Sequence, residues 1–195
     1  MPRSAGVIDE ETARQRLVEA ADRLFYARGV QAVGMDAVRS EAGVSLKRIY
    51  ALFPSKDDLV TAVLGRRSAL WADGIEAALA TADDPAEKLL AIFDYLDDWF
   101  HEPDFRGCAF INLYGELGPS SPNAAEAVRR QKRGFATLVA GLVAEAGLPD
   151  DLAPQLVVLV EGAQTTAAIL GDPEVARQAK AAAVVLIEEA RRSGE

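Results

Sequence analysis

Residues 35–56 read MDAVRSEAGVSLKRIYALFPSK, and this stretch decides how the N-terminal part of the chain folds. Apolar residues at helical spacing predict one short helix over residues 35–42 and a second over residues 46–52. Gly43 lies in the break between them, and Ser45 is a typical N-cap residue for the second helix. Two short helices joined by a tight turn that contains glycine are the signature of a helix-turn-helix.

Outward from this motif the sequence predicts further helices and no strands, because alternating apolar runs and hairpin turns are absent. Capping signals mark the ends: Thr12 as an N-cap, Gly29 as a C-cap, and Asp–Pro or Ser–Pro pairs before later helices. The segment 102–122 is aromatic in its middle and irregular at both ends. The other predicted helices cover residues 12–28, 56–80, 85–101, 122–146, 151–170 and 173–193.

These helices predict an all-α protein with about nine helices and two domains. We expect residues 9–58 to form a three-helix domain that contains the helix-turn-helix, and residues 59–195 to form a larger helical domain. At 195 residues the chain is long enough to bury a hydrophobic core in each.

Composition excludes several classes of site. A single cysteine, Cys108, rules out an intramolecular disulfide framework, and a single histidine, His101, leaves no His/Cys cluster for a metal. We therefore expect no catalytic residues, no metal and no cofactor. No apolar run of about 18 residues and no signal peptide are apparent, which predicts a cytoplasmic protein with no membrane partner.

The net charge of -9 conceals an uneven distribution. Residues 1–68 carry 11 Lys and Arg against 9 Asp and Glu, whereas residues 69–195 carry 10 against 21. The N-terminal part is thus mildly basic although the whole chain is acidic. Binding to nucleic acid requires a local basic surface rather than a basic protein.

The second helix of the motif should enter the major groove of DNA. Its helical phase points Ile49 and Phe53 to the domain core and leaves the opposite face for DNA. Arg48 can make a forked contact to guanine or clamp a phosphate. The Tyr50 hydroxyl can reach a phosphate while its ring packs inward, and Lys56 can meet the backbone. The predicted DNA contacts are Ser45, Leu46, Lys47, Arg48, Tyr50, Ala51 and Lys56.

Residues 12–64 resemble the DNA-binding domain of the TetR family of transcriptional regulators. The stretches that carry the resemblance are LVEAADRLFYARGV and MDAVRSEAGVSLKRIYALFPSKDDLVTAVL. Gly34 departs from the family pattern, in which Thr or Ser often begins the second helix, so a cap is lost there. The resemblance implies a homodimer that binds a palindromic operator as a ligand-responsive repressor, with an effector pocket in the C-terminal domain.

Aromatic and apolar side chains along the later helices are the candidate lining of that pocket, although such stripes are also typical of ordinary core. Polar residues among them stand out, since a buried polar group needs a partner. The effector is expected to be apolar or aromatic. The candidate pocket residues are Trp71, Phe93, Leu96, Trp99, Phe100, Cys108, Phe110, Asn112, Tyr114 and Gln164.

Cys108 has two interpretations. It is a redox-responsive thiol if Arg106 lowers its pKa, and otherwise a small buried hydrophobic residue. The polar residues Glu116 and Glu161 also interrupt apolar helical stretches, and for Glu161 we expect a structural role.

The last two predicted helices are apolar on more than one face, which a helix exposed to water on one side should not be. We expect a second copy of the chain to cover them in a symmetric four-helix interface. The predicted interface residues are Leu156, Leu159, Val160, Ala163, Ala167, Ala179, Ala183, Leu186 and Ile187.

Two other functions remain open from the residues alone. An enzyme would need a nucleophile, a base and an orienting group in one pocket, and no spacing here suggests them. The second alternative is a helical protein without sequence-specific DNA binding that binds small molecules or responds to oxidation through Cys108.

Overall fold

The computed structural model describes residues 8–118 and 120–193, and within them it contains helices and no strands. The all-α prediction is confirmed. The nine helices are α1 (Glu10–Arg28), α2 (Met35–Ala42), α3 (Leu46–Leu52), α4 (Lys56–Leu79), α5 (Pro85–Phe100), α6 (Ala109–Leu117), α7 (Pro122–Glu145), α8 (Leu152–Leu170) and α9 (Val175–Ser193).

Local capping signals explain most helix ends. Ser55 and Asp58 bond reciprocally at the start of α4: the Ser55 N–H donates to the carboxylate at 2.9 Å, and the Asp58 N–H donates to the hydroxyl at 3.1 Å. Asp84 accepts from the first-turn amides of α5, whose first residue is Pro85. Gly34 precedes α2 without a side-chain cap, as its lack of a side chain predicts.

Two predicted helix starts were wrong. The N-cap of α1 is Asp9 rather than Thr12, because the Asp9 carboxylate accepts from both the Thr12 N–H (2.8 Å) and the Thr12 hydroxyl (2.7 Å). These bonds lower the pKa of Asp9. The last helix begins at Val175 rather than at residue 173, because Asp172 accepts from the Glu174 N–H in a turn before the helix.

The chain divides into two compact units. Unit 1 comprises Met1–Arg67 and Asn112–Ala127, and unit 2 comprises Ser68–Ile111 and Val128–Glu195. The helices α4, α6 and α7 each run from one unit into the other along the chain. Unit 1 therefore contains the helix-turn-helix together with the end of α6 and the start of α7.

The core of unit 1 forms where small and aliphatic residues of α1 meet α2, α3 and α4. Asp22 is a buried charge in this unit, and it is paired with Arg66 at 3.3 Å and with Arg67 at 2.5 Å. The Arg67 guanidinium also lies 4.1 Å from the centre of the Tyr26 ring. Fully buried apolar members are Ala13, Leu17, Ala20, Ala21, Val38, Ile49 and Leu59.

The core of unit 2 is built by α5, α8 and α9, which pack against one another. Leu89, Ile92, Phe93 and Leu96 face inward from α5. The helix α8 is long and apolar enough to cross a membrane by length and composition alone, and 39% of the stretch is buried inside the protein. Buried core helices pass the same test, so this feature is weak evidence for a membrane span.

Candidate functional site

The helix α3 presents two distinct faces. Ile49 and Phe53 are buried, as the helical phase predicted, whereas Lys47 and Ala51 are exposed. At the start of the helix, the Ser45 hydroxyl is exposed and accepts from the Arg48 N–H at 3.4 Å. Leu46 is half-buried. The outward face therefore offers one ammonium group and small or apolar surface.

Tyr50 extends this outward face. Its side chain is 49% exposed, so the expectation that its ring packs inward was wrong. Ile49 is the buried residue of this short helix. About half of Tyr50 is consequently available at the surface, one turn from Lys47.

The Arg48 side chain contacts another part of unit 1. Its guanidinium donates at 2.5 Å to the backbone carbonyl of Ile8, forty residues earlier in the chain. The side chain is part-buried by this contact. The expected base or phosphate contact stays a prediction, but the structure gives this arginine an internal partner.

Lys56 also has internal partners. Its ammonium donates at 2.6 Å to the carbonyls of both Val30 and Val33, in the loop that follows α1. Burial lowers the pKa of Lys56, and the negative charge of Glu116 partly opposes this shift. Two of its three donors are thus used within unit 1, and a phosphate contact by Lys56 stays a prediction.

Glu116, in the last turn of α6, meets the same loop. Its carboxylate accepts from the Gln31 N–H at 3.0 Å, and its backbone carbonyl accepts from the Gln31 side chain at 2.7 Å. A Cβ atom on Gly29 would lie 3.1 Å from both carboxylate oxygens. Gly29 ends α1 with φ of +82°, so a left-handed conformation and a close approach both favour glycine here.

A second contact fixes the start of α7 to the start of α4. The Ser121 hydroxyl donates to the Asp57 carboxylate and accepts from the Ala124 N–H at 3.1 Å. Asn123 also donates to Asp57, at 3.4 Å. Sequence reasoning missed the contacts to Asp57 and those of Gln31, because the partners lie more than sixty residues apart.

The predicted pocket residues divide between the units. Asn112 and Tyr114 belong to unit 1 and are exposed. Phe93, Leu96 and Phe100 are buried core residues of unit 2, and Cys108 and Phe110 are also buried. Aromatic stripes at helical spacing form core here, as the alternative interpretation held.

An aromatic cluster does form in unit 2. Trp71 makes edge-to-face contacts with Tyr95, Trp99 and Phe135, at centroid distances of 5.5 to 5.8 Å. Trp99 contacts Phe105 at 5.2 Å. Burial raises the pKa of Tyr95, and the nearby charge of Glu102 adds to the shift.

A cavity of about 280 Å³ lies beside this cluster, between the loop after α5 and the end of α8. Phe100 is the one predicted pocket residue among its walls. Gln164 is almost fully buried on α8; its amide nitrogen donates to the Val160 carbonyl, and its carbonyl oxygen has no described partner. The cavity is lined by Phe100, Glu102, Pro103, Phe105, Arg106, Ala167, Ala168, Gly171, Asp172 and Pro173.

The Cys108 thiol is contacted by the ammonium group of Lys132. Its ammonium lies 3.3 Å from the sulfur and donates to the Glu161 carboxylate at 2.6 Å. Glu161 therefore has the structural role that the sequence suggested. Arg106, the cation expected near the thiol, donates to the Phe105 carbonyl at 2.7 Å.

The predicted interface residues are mostly interior. Leu159 and Leu186 are partly buried, and the other seven are buried within one chain, packed between α5, α8 and α9. For these seven residues the prediction was wrong, because a helix that is apolar on more than one face does not show in its sequence which face meets its own chain. The apolar residues left exposed on these two helices are Val158, Ile169, Leu170 and Val185.

Family models match both parts of the chain. The model described as "Bacterial regulatory proteins, tetR family" covers residues 17–63. The model described as "Tetracyclin repressor-like, C-terminal domain" covers residues 85–183, about half of the chain. The chain belongs to the TetR family.

Solved TetR-family structures share the fold over nearly the whole chain. A TetR-family transcriptional regulator from Streptomyces coelicolor is 32% identical, covers 92% of this chain and 96% of its own, and superposes with a TM-score of 0.85. A TetR-family regulator from Streptomyces avermitilis is 33% identical, covers 92% and 98%, and has a TM-score of 0.80.

Among curated TetR-like proteins, the HTH-type transcriptional activator FasR of Mycolicibacterium smegmatis is 36% identical over 104 residues. The match covers 53% of this chain and 47% of FasR, so the chain spans about half the length of this relative. The HTH-type transcriptional repressor ComR of Escherichia coli is 29% identical over 118 residues, which are 60% of this chain and 56% of ComR. The relatives thus include both an activator and a repressor.

Proposed function

We propose that this chain is a homodimeric, ligand-responsive transcriptional repressor that binds a palindromic DNA operator. The observation that carries the proposal is the outward face of α3, where Lys47, Tyr50 and Ala51 are exposed opposite the buried Ile49. A helix with this division can lie in the major groove while its other side holds the domain together. Because its partner is chromosomal DNA, the protein acts in the cytoplasm.

The proposed DNA-contacting surface consists of Ser45, Leu46, Lys47, Tyr50 and Ala51. Lys47 supplies a charge for a phosphate or a base edge, and the Tyr50 hydroxyl donates to a phosphate. Ala51 offers apolar contact to a thymine methyl group. Two copies of α3 must lie about 34–36 Å apart to read successive turns of the groove, which is why the proposal requires a dimer.

The dimer is supported by exposed apolar residues on α8 and α9. Val158 is 70% exposed and Ile169 is 77% exposed. Exposed apolar side chains grouped on two packed helices are typical of a surface that another protein covers. A second copy of the chain would bury them in an isologous interface.

The effector site is proposed at the cavity in unit 2. Phe100 and Phe105 supply an aromatic wall, and Glu102 and Arg106 supply charged groups at its edge. An effector with an apolar or aromatic body and one polar group suits this lining. Trp99 contacts both rings, so quenching of tryptophan fluorescence by small aromatic compounds reports occupancy.

An electrophoretic shift tests the regulatory function. Purified protein is incubated with the DNA fragment beside its own gene, with fragments from elsewhere in the genome, and at rising salt. We expect a sequence-specific shift that weakens with salt and that the double variant Lys47→Ala/Tyr50→Ala loses. Glu145→Ala, an exposed change at the end of α7, is the control. Absence of a specific shift with any genomic fragment would refute the proposal.

A further inference from the structure

The cations of unit 1 are largely occupied by other groups of the same unit. Arg23 pairs with Glu41, Arg39 pairs with Asp36, and Arg66 and Arg67 pair with Asp22. Lys56 is bound to two backbone carbonyls. Arg16, Arg28 and Lys47 are exposed, and the described part of the chain contains no hydrogen-bond or ion-pair partner for them.

Two arginines connect α1 and α3 in opposite directions. Arg48 of α3 donates to the carbonyl of Ile8, just before α1. Arg14 of α1 donates at 3.3 Å to the carbonyl of Leu52, the last residue of α3. The Arg14 guanidinium also lies 4.4 Å from the centre of the Phe53 ring. An arginine of α3 thus binds a carbonyl at the start of α1, and an arginine of α1 binds the carbonyl at the end of α3.

We infer that Arg48 is a positioning residue that acts together with Arg14, and that base discrimination by α3 falls to Lys47 and Ala51. The inference rests on the proposed function. A helix of seven residues is marginal by itself and depends on tertiary contacts, and within α3 only Ile49 is fully buried. Two arginine–carbonyl contacts at its two ends supply its orientation.

The chemistry separates the two roles. An arginine that reads guanine uses two donors of its fork on the base. In Arg48, a donor of that fork is already bound to a neutral carbonyl, and a charge-assisted bond of this kind is stronger than one between neutral groups. Lys47 makes no described hydrogen bond or ion pair, so its ammonium group is free to contact DNA.

In vitro selection tests the inference with the full chain. A random-sequence duplex library is selected with the wild-type protein, and the recovered duplex and its single-base-pair variants are titrated with Arg48→Ala, Arg14→Ala, Arg48→Lys and Lys47→Ala. Melting temperature and the salt dependence of binding are recorded for each variant. Arg14→Ala is the matched control, because Arg14 lies on α1 and shares only the positioning role.

We expect Arg48→Ala and Arg14→Ala to lower the melting temperature and to weaken binding to every duplex by a similar factor, with base preferences unchanged. Arg48→Lys keeps a donor for the Ile8 carbonyl and should restore most of both losses. Lys47→Ala should melt at the wild-type temperature and either relax one base preference or reduce the salt slope by about one.

The inference is overturned if Arg48→Ala relaxes the preference at one base pair by about tenfold or more while the melting temperature stays unchanged. It is also overturned if Arg48→Lys shows the same relaxed preference as Arg48→Ala. Recovery of no sequence by the wild-type protein is a different result, because it refutes the proposed function itself.

Discussion

The carboxylate of Glu116 accepts a hydrogen bond from the backbone N–H of Gln31 at 3.0 Å. This contact joins the end of α6 to the loop between α1 and α2. Gln31 and Glu116 are 85 residues apart in sequence. Because α6 starts in unit 2 and ends in unit 1, Glu116 attaches the unit 1 end of that helix to the loop that precedes the helix-turn-helix.

Replacing the charge of Glu116 should weaken unit 1. Glu116→Gln keeps the shape of the side chain but loses the charge-assisted bond, and we expect the free energy of unfolding to fall by about 1 kcal/mol. Urea denaturation followed by circular dichroism measures this change. Glu145→Gln, at an exposed position of α7, should change it by less than about 0.5 kcal/mol. Equal, negligible effects of the two substitutions would show that the contact contributes nothing.

Alanine substitutions at three glycines distinguish the cost of a left-handed backbone conformation from the cost of a close contact with the added Cβ atom. Gly65→Ala, within α4 with open space around it, should stabilise by about 0.5–1 kcal/mol. Gly43→Ala has open space but a φ of +64° and should cost about 1–2 kcal/mol. Gly29→Ala should cost more than Gly43→Ala, since it adds contact with the Glu116 oxygens.

The same series has an internal check. If the extra cost at Gly29 comes from the carboxylate, it should disappear when Gly29→Ala is made in a Glu116→Ala background. A Gly29→Ala variant that is no less stable than Gly43→Ala, measured by thermal denaturation, would contradict the close approach of α6 to this loop.

The pKa of Lys56 should be measurably low. Burial disfavours its ammonium form, and Glu116 partly opposes this, so titration followed by NMR of the Lys56 side chain should give a midpoint below 10.5. Glu116→Gln removes the opposing charge and should lower the midpoint further. A midpoint at or above 10.5 would contradict the buried position of the ammonium group.

This shift also has a consequence for stability. Between the lowered pKa and 10.5 the unfolded chain binds more protons than the folded chain, so the contribution of Lys56 to the free energy of unfolding rises with pH in that window. Lys56→Met should remove this part of the pH dependence. Denaturant unfolding at several pH values just below 10.5 measures the difference between the two proteins.

Local signals in the sequence predicted most of the fold. The bounds of α2 and α3 and the Ser55–Asp58 capping box depend on residues within four positions of each other, so a single sequence contains all the information needed. The Arg48–Ile8 and Gln31–Glu116 contacts join residues 40 and 85 positions apart. No periodicity encodes such pairs, and the internal partners of Arg48 and Lys56 could therefore not be predicted.

The faces of α8 and α9 show the same limit. The sequence showed that both helices are apolar on more than one face, and in the structure each buries one of these faces and exposes apolar residues on another. It assigned Leu156, Val160 and Ile187 to a partner, whereas they fill the core of unit 2. The face that meets its own chain is the one that packs with α5, which is distant from α8 and α9 in sequence. The helical pattern of a single segment does not identify that face.

A charge on the exposed apolar surface of α8 should prevent dimerisation. Ile169→Glu places a carboxylate where a second copy is proposed to pack, and burying an unpaired charge is strongly unfavourable. Sedimentation velocity should give twice the chain mass of 20.8 kDa for the wild-type protein and the single-chain mass for the variant. Leu70→Glu, at an exposed leucine of α4, should remain dimeric. A wild-type protein that sediments as a single chain would contradict the proposed interface.

The central claim is that the outward face of α3 reads DNA. Fluorescence anisotropy tests it most directly, by titrating the selected duplex and a scrambled duplex of equal composition over a range of salt concentrations. We expect the wild-type protein to bind the selected duplex at least about 1,000-fold more tightly than the scrambled one. Affinity should fall with salt, and Lys47→Ala/Tyr50→Ala should abolish the difference. Equal affinity of the wild-type protein for both duplexes would show that α3 does not read the DNA sequence.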